Sequence, residues 1–475
     1  MGLFHRVQPW DIVSTIPHLF PGLNEISRRL PLIAEARPKS RSCAYQFVVV
    51  VLLLFVGNLI MAADTIAFTG ARLMPVSGPV IEDGVLVVRG GKIESIGTSR
   101  DVVIPTGAIR IDASGKIIIP GLICTHSHIG MGGGGDSSGP IQPECWTLDS
   151  VNVRAASLER ARAGGLTLVN QMPGSGHLIS GRTTYLKLRK GGTVDELLIK
   201  DSEGWPMGGL KMANGTNSQR SSPFPGTRAK SAALVREAYV KAQEYRDKIA
   251  RAEGDPDKMP ERDLRMEALV EALDGKRIVH HHTHRHDDIL TVLRLRDEFG
   301  FQVVLHHVSE AWKVVDEIAA SGAPCSLIVI DSPGGKLEAR DISMENGVVL
   351  ERAGVNVAFH TDDFITDSRL FLRSAALAVR SGMSREGALR ALTLSGAEML
   401  GLEGRTGSLD PGKDADFAIL SGDPFSVYTQ VLETWVEGEQ VFDRSDPAQR
   451  LFAVGGRGAG DDQAYHCCGE RQEQR

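Results

Sequence analysis

What this chain lacks narrows its class before any motif is considered. Its six cysteines, Cys43, Cys124, Cys145, Cys325, Cys467 and Cys468, are scattered, and the adjacent pair sits in a polar tail. They supply neither a disulfide framework nor a cysteine metal knot. There is no basic field either. The formal charge is −6, and residues 1–62 carry six Lys or Arg against three Asp or Glu, so the remainder stands at −9. Nucleic acid is therefore not an expected partner. With 42% apolar and 24% charged residues in 475, the chain is long enough for a large globular core and a smaller second domain.

No apolar run reaches the roughly 20 residues of a membrane span. The longest, Phe47 to Ile60, follows the basic cluster Arg37, Lys39 and Arg41 and precedes Ala62-Ala63. That arrangement reads as an export signal, with an uncleaved membrane anchor or a misplaced start codon as alternatives. The expected location is periplasmic or extracellular, with membrane contact only through this segment, 1–63.

From Asp64 the text changes to short alternating runs with Gly and Pro punctuation: TIAFTGARLMPV, GVLVVRGGKIESIG and AIRIDASGKIII. These predict β-strands over 64–116. Similar alternation returns over 404–445 in GSLDPGKDADFAIL and TWVEGEQVF, so the two terminal segments suggest one split domain. Residues 446–475 are polar and glycine-rich and read as disordered.

The middle, 117–403, alternates apolar strand-like runs with amphipathic helices, among them GLTLVNQM, KRIVHHH, FQVVLHH, PCSLIVI and GVNVAFH. Its size and rhythm fit a (β/α)₈ TIM barrel, with a doubly wound open sheet as the alternative. Ser309 is expected to cap a helix carrying Ala311, Val314, Val315 and Ile318 on one stripe. Two charged amphipathic helices joined by GDPDKMP form an insertion over 227–273, expected outside the barrel.

Function in a barrel gathers at the C-terminal ends of its strands. In IIIPGLICTHSHIG, His126 and His128 stand two apart, which on a strand places both imidazoles on one face. The glycines that follow, Gly130 and Gly132 to Gly135, leave room for a ligand. Other runs end in the same chemistry: Lys211 in GGLKMA, His280 to His282 after KRIV, His306-His307 after QVVL, and Asp362 after NVAFH. Imidazole and carboxylate suit zinc and similar divalent ions, one or two of them.

These motifs together resemble the amidohydrolase superfamily, in its imidazolonepropionase-like and dipeptidase-like branch. The resemblance runs from about Asp64 to Phe442 and rests on PGLICTHSH, HTHRHDDIL, LHHVSEAW, HTDD and GSLDPGKDADFAIL. It implies a metal-bearing (β/α)₈ barrel with a small β-sandwich built from the N- and C-terminal segments. Residue by residue, it makes His126, His128, His282, His307 and Asp362 metal ligands, with His280 and His306 as alternatives to their neighbours. Lys211 matches a lysine that, in members with two ions, is carboxylated and bridges them; an unmodified ammonium would repel the cations.

The chemistry expected is hydrolysis of an amide or other C–N bond of a small molecule by metal-activated water, with Asp362 as the catalytic acid-base. Deaminases and imidazolonepropionases of the superfamily place a glutamate three residues after the fifth-strand histidine, where this chain has Arg285. That departure favours a dipeptide or N-acyl amino acid, whose carboxylate Arg285 could clamp; a salt bridge to Asp287 or Asp288 is the competing role. His177 and Arg182, in MPGSGHLISGR, are further candidate substrate contacts, with a plain loop as the alternative. A phosphotriesterase-like or lactonase activity would use the same site. A non-catalytic relative should have lost ligands, and a homo-oligomer is compatible with the sequence.

Overall fold

The computed structural model describes residues 65–130, 136, 138–328, 336–363 and 365–460. The proposed export segment, Gly132 to Gly135, residues 331–335 and the tail from 461 lie outside the described residues; the first part of the segment expected to be disordered, 446–460, is described and contains the helix Pro447–Val454. The described residues form one compact unit. No helix among the described residues is long and apolar enough to cross a membrane.

The strands in chain order are β1 (Ile66–Leu73), β2 (Ile81–Arg89), β3 (Lys92–Thr98), β4 (Ile109–Asp112), β5 (Ile117–Pro120), β6 (Leu122–Ser127), β7 (Leu166–Gln171), β8 (Ile179–Arg182), β9 (Thr184–Lys187), β10 (Leu210–Ala213), β11 (Val279–Thr283), β12 (Val303–His307), β13 (Cys325–Leu327), β14 (Val357–Phe359), β15 (Phe417–Leu420), β16 (Val431–Val436) and β17 (Glu439–Asp443). The terminal strands make one eight-stranded sheet in the order β17-β16-β15-β5-β1-β2-β3, with β4 also on β1. Its central seam is antiparallel, Ala418 opposite Ile119. The sheet folds back on itself, since Ile93 N donates to Lys413 O (2.9 Å) and Gly412 N to Ile93 O (2.8 Å). Phe68, Phe417 and Trp435 fill its interior, with ring centroids 5.0–5.7 Å apart.

The apolar run IIIPGLIC is divided between two layers. Ile117–Pro120 is β5 of the terminal sheet, and Leu122–Ser127 is β6 of the middle segment. Gly121 is the crossing point, and a Cβ there would lie 2.2 Å from Thr167 Oγ1, so no larger residue fits without moving β7.

The middle segment contains a six-stranded ladder, β14-β13-β12-β11-β10-β8, and a three-stranded one, β6-β7-β9. β10 to β14 are parallel and in sequence order, without the order reversal of a doubly wound sheet. The two ladders meet at both margins. Thr183 N donates to Gly209 O (2.9 Å) and Tyr185 N to Met207 O (3.0 Å) on one side, and Asp362 N donates to His126 O (3.0 Å) on the other. One departure from an all-parallel pattern is β8 and β9, which run antiparallel to β10 and β7.

The insertion consists of helices Arg228–Ala252 and Leu264–Leu273. Thr227 caps the first through Lys230 N, and Asp263 caps the second. Tyr239 of the long helix stacks on Phe299 and Phe301, centroids 5.1 Å away in each case, so the insertion packs on the outside of β11 and β12. Ser309 does not cap a helix: the stretch after it is a 3-10 turn, Ala311–Lys313, then Val315–Ser321, and its hydroxyl pairs with His284.

A buried ionic cluster fastens the terminal sheet to the middle segment. Lys187 of β9, with no exposed surface, bonds to Asp414 and Asp416, the latter at 2.6 Å. Arg405 and Lys92 also donate to Asp414, at 2.8 and 2.6 Å. Arg189 grips Glu437 bidentately, at 2.6 and 2.7 Å.

Candidate metal centre

The ends of β6, β10, β11, β12 and β14 converge, as parallel in-register strands require of their terminal residues. His126 and His128 leave β6 toward the same point. Asp362 Oδ1 lies 3.2 Å from His126 Nε2 and 3.0 Å from His128 Nε2. Lys211 Nζ stands 3.1 Å from His126 Nε2 and 3.0 Å from Met172 Sδ.

One hydrogen bond fixes a tautomer here. His128 Nδ1 lies 2.8 Å from the Met172 carbonyl oxygen, which can only accept, so Nδ1 carries the proton. In the neutral ring Nε2 is then a lone pair, and it faces the Asp362 carboxylate. Two acceptors at that separation call for a proton or a cation between them, and a divalent ion fits the donor set.

A second bay lies across the centre, where the candidate ligand atoms of His282, His284 and His307 all fall within 4.8 Å of one another. His282 Nδ1, His284 Nε2 and His307 Nε2 are buried without hydrogen-bond partners. Buried imidazole nitrogens rarely go unpaired, so three together fit a common cation. His284 is oriented by Ser309 Oγ (2.8 Å), and the Asn217 side-chain amide lies 3.1 Å from His282 Nε2; with the amide oxygen turned to that nitrogen it accepts the Nε2 proton and leaves Nδ1 a lone pair. His307 Nδ1 pairs with His360 Nε2 (3.1 Å), and His360 Nδ1 with Ser326 Oγ (2.7 Å). His126, His307 and His360 form a third set with the same spacing, which joins the two bays.

Electrostatics favour metal-ready states. Burial first, then neighbouring Lys211, His360 and other rings, hold His126 well below the usual imidazole range, and burial does the same for His282 and His307. Burial lowers Lys211 to about 7. For Asp362 burial opposes ionisation, but the hydrogen bond and charge that His128 offers when protonated on both nitrogens, with His360 and Lys211, lower its carboxyl well below the usual range. His307 and Asp362 also share left-handed backbone, φ +69° and +45°, an uncommon conformation for non-glycine residues that clusters at functional sites.

The reserve histidines go elsewhere. His280 Nδ1 pairs with His306 Nε2 (2.9 Å) and His280 Nε2 with the Tyr185 hydroxyl (3.1 Å), one layer below the centre. His281 points to the opposite face of β11 and donates Nδ1–H to its neighbour's carbonyl, His282 O (3.0 Å).

The three expected substrate contacts are not brought to one place. Arg285 donates from Nε and Nη2 to Asp287, at 3.0 and 2.9 Å, beside the start of helix His286–Phe299. Arg182 sits at the entry end of β10, opposite Leu210, because β8 runs antiparallel and carries it away from the strand ends. There it lies over the Trp146 ring (4.6 Å) and donates to Glu144 O (3.2 Å). His177 is buried in the loop after β7, its ring 5.6 Å from Phe224. Asp367 caps the turn Ser368–Leu370. Sequence reasoning missed His284, His360 and Asn217. For His284 the signal was present, since His282 and His284 repeat the two-residue spacing of His126 and His128.

A split α/β chain with histidines, a lysine and a carboxylate gathered at strand ends defines the class: an α/β scaffold carrying a side-chain cluster able to bind metal. The chain belongs to the amidohydrolase superfamily, in its imidazolonepropionase-like branch, a superfamily of metal-dependent hydrolases. The model described as "Amidohydrolase family" matches residues 247–442. A crystal structure of an amidohydrolase from Thermotoga maritima MSB8 aligns with a TM-score of 0.75 at 34% identity, covering 80% of this chain and 100% of that one. An imidazolonepropionase of Sphingopyxis alaskensis is 24% identical over 75% of this chain and 92% of its own length. The amidohydrolase tasK of Hapsidospora irregularis is 25% identical over 72% of this chain, but the match spans only 38% of that longer protein.

Proposed function

We propose that this protein hydrolyses an amide or related C–N bond of a small molecule, with a dipeptide or N-acyl amino acid as the substrate class. The observation that carries this reading is the lone pair of His128 Nε2 facing ionised Asp362 at 3.0 Å, beside the unpaired nitrogens of His282, His284 and His307. In this reading the scaffold is a (β/α)₈ barrel with β8–β9 in its third position. His126, His128 and Asp362 would hold one divalent ion, zinc by the chemistry of the donors, and His282, His307 and His284 would hold a second. Lys211, once carboxylated, would be a ligand to both. Such ions polarise a carbonyl and acidify water toward a pKa of about 7.

The residues of the chain supply the rest. Asp362, kept ionised, accepts a proton from the attacking water and returns it to the leaving nitrogen. Met172 O holds His128 in the tautomer that leaves Nε2 free, and Ser309 and Asn217 orient His284 and His282. With Arg285 engaged by Asp287, the substrate carboxylate falls to Lys336. The Lys336 ammonium makes no hydrogen bond or ion pair among the described residues, and it interacts electrostatically with Asp362 and Glu338.

The test is metal quantitation on the chain beginning at Asp64, followed by a panel of dipeptides, N-acyl amino acids, lactones and aryl phosphotriesters. Turnover restricted to lactones or phosphotriesters would replace this reading with the second one. We also propose export through the segment ending at Ala63, to be tested by the location of a fusion placed after that residue.

A further inference from the structure

Outside β10 and β11 lies a second cavity that the histidine centre does not use. It has a volume of about 350 Å³, at the lower end of the range for small-molecule sites. Helix Arg228–Ala252 of the insertion and helix His286–Phe299 form its walls, and Leu178, Ala213, Val235 and Leu295 give it an apolar side.

Its polar side has more donors than acceptors. Arg228, Arg236 and Arg294 all line it. Arg236 is committed to Glu298 at 2.7 Å. Arg228 directs Nε to both oxygens of Asp288, each at 2.9 Å, which leaves its Nη2 buried without a hydrogen bond and 3.7 Å from Glu338 Oε2. Arg294 donates to Thr291 Oγ1 at 2.8 Å and has no carboxylate within ion-pair distance among the described residues. The two aspartates in the lining are taken, Asp288 by Arg228 and Asp287 by Arg285.

The strand wall adds one more unpaired group. His281 is 1% exposed and lines this cavity. Its Nδ1 donates to the His282 carbonyl, so its Nε2 is an acceptor, and it makes no hydrogen bond among the described residues.

We propose that this cavity is a binding site for a small organic carboxylate. The carboxylate meets the guanidinium groups of Arg228 and Arg294, the apolar body lies against Leu178, Val235 and Leu295, and an N–H on that body meets His281. Guanidinium groups with free donors favour a carboxylate over a neutral ligand, and the apolar side favours an organic anion over a bare inorganic one. This inference stands apart from the proposed hydrolysis and survives if that reading fails.

The probe is indole-2-carboxylate, which carries both groups and no hydrolysable bond, titrated calorimetrically into the full-length, metal-loaded protein. One molecule should bind per chain. Affinity should fall about tenfold or more in Arg294→Gln, as expected for loss of a charge-assisted hydrogen bond, and vanish in Ala232→Trp, whose side chain would fill the cavity from the helix. Thermal melts establish that the variants are folded; if Ala232→Trp is not, Arg294→Gln decides alone. Binding that persists in folded Ala232→Trp places the ligand elsewhere, the metal centre included, and overturns the proposal. So would full affinity in Arg294→Gln, equal binding of neutral 2-methylindole or of inorganic phosphate, or the absence of binding to the wild type at millimolar concentration.

Discussion

His128 Nε2 and Asp362 Oδ1 lie 3.0 Å apart, from opposite ends of the middle segment, and the tautomer imposed on His128 by the Met172 carbonyl leaves no proton of the neutral ring between them. The expected consequence is that both side chains share a cation. Replacing Asp362 with Asn should lower kcat of the metal-loaded protein by at least about 100-fold, the scale of a lost general acid-base. The near-ultraviolet circular dichroism should stay unchanged. Retained turnover in the Asn variant would remove Asp362 from the proposed role.

The two bays predict two ions per chain. Elemental analysis at saturation should give a ratio near two for the wild type and about one for Lys211→Ala, because the bridge is lost. Dialysis against a chelator should abolish turnover, and divalent metal should restore it. A wild-type ratio of one at saturation rules out the bridging lysine.

Lys336→Gln should separate binding from chemistry. For a substrate with a free carboxylate, KM should rise about tenfold while kcat changes little, in keeping with the loss of one charge-assisted contact. The same substrate with its carboxylate amidated should show no difference between variant and wild type. Equal effects on both substrates would mean that Lys336 does not read the carboxylate.

The cluster around Lys187 predicts an acid-sensitive junction. Burial opposes ionisation of Asp414, yet Lys187, Lys92 and Arg405 lower its carboxyl to about 2 from an ordinary 3.8. A carboxylate lowered on folding stabilises the protein above its unfolded pKa, and that contribution is lost as pH falls through the folded value. Thermal stability should therefore drop between about pH 4 and pH 2, and the drop should be shallower in Asp414→Asn. At neutral pH the variant should lose about 3 kcal/mol, since it leaves a buried cation short of its partner. Denaturant melts of both proteins across that pH range check the slope and the size of the loss.

Much of the centre was legible in the linear text because strand geometry is local. A period of two places His126 with His128 on one face, and an apolar run that stops at a polar residue marks the end where a barrel gathers its chemistry. The same local rule pointed to β6, β7, β10, β11, β12, β13 and β14. It could not tell that IIIPGLIC is two strands in two layers, since Gly121 crosses between them because of Thr167, a residue distant in sequence.

The sequence by itself determined which residue types reach the strand ends, and so the kind of chemistry. Tertiary structure alone decided the pairings. It set His280 against His306 and left His282 Nδ1 and His307 Nε2 unpaired, because two histidines two apart on one strand differ only in depth. It turned Arg182 away through the antiparallel course of β8 and engaged Arg285 with Asp287 at the start of a helix. It also brought His284 and His360 into the cluster. Spacing along a strand fixes a side chain's face, but its partners come from neighbouring strands, and those are chosen by packing.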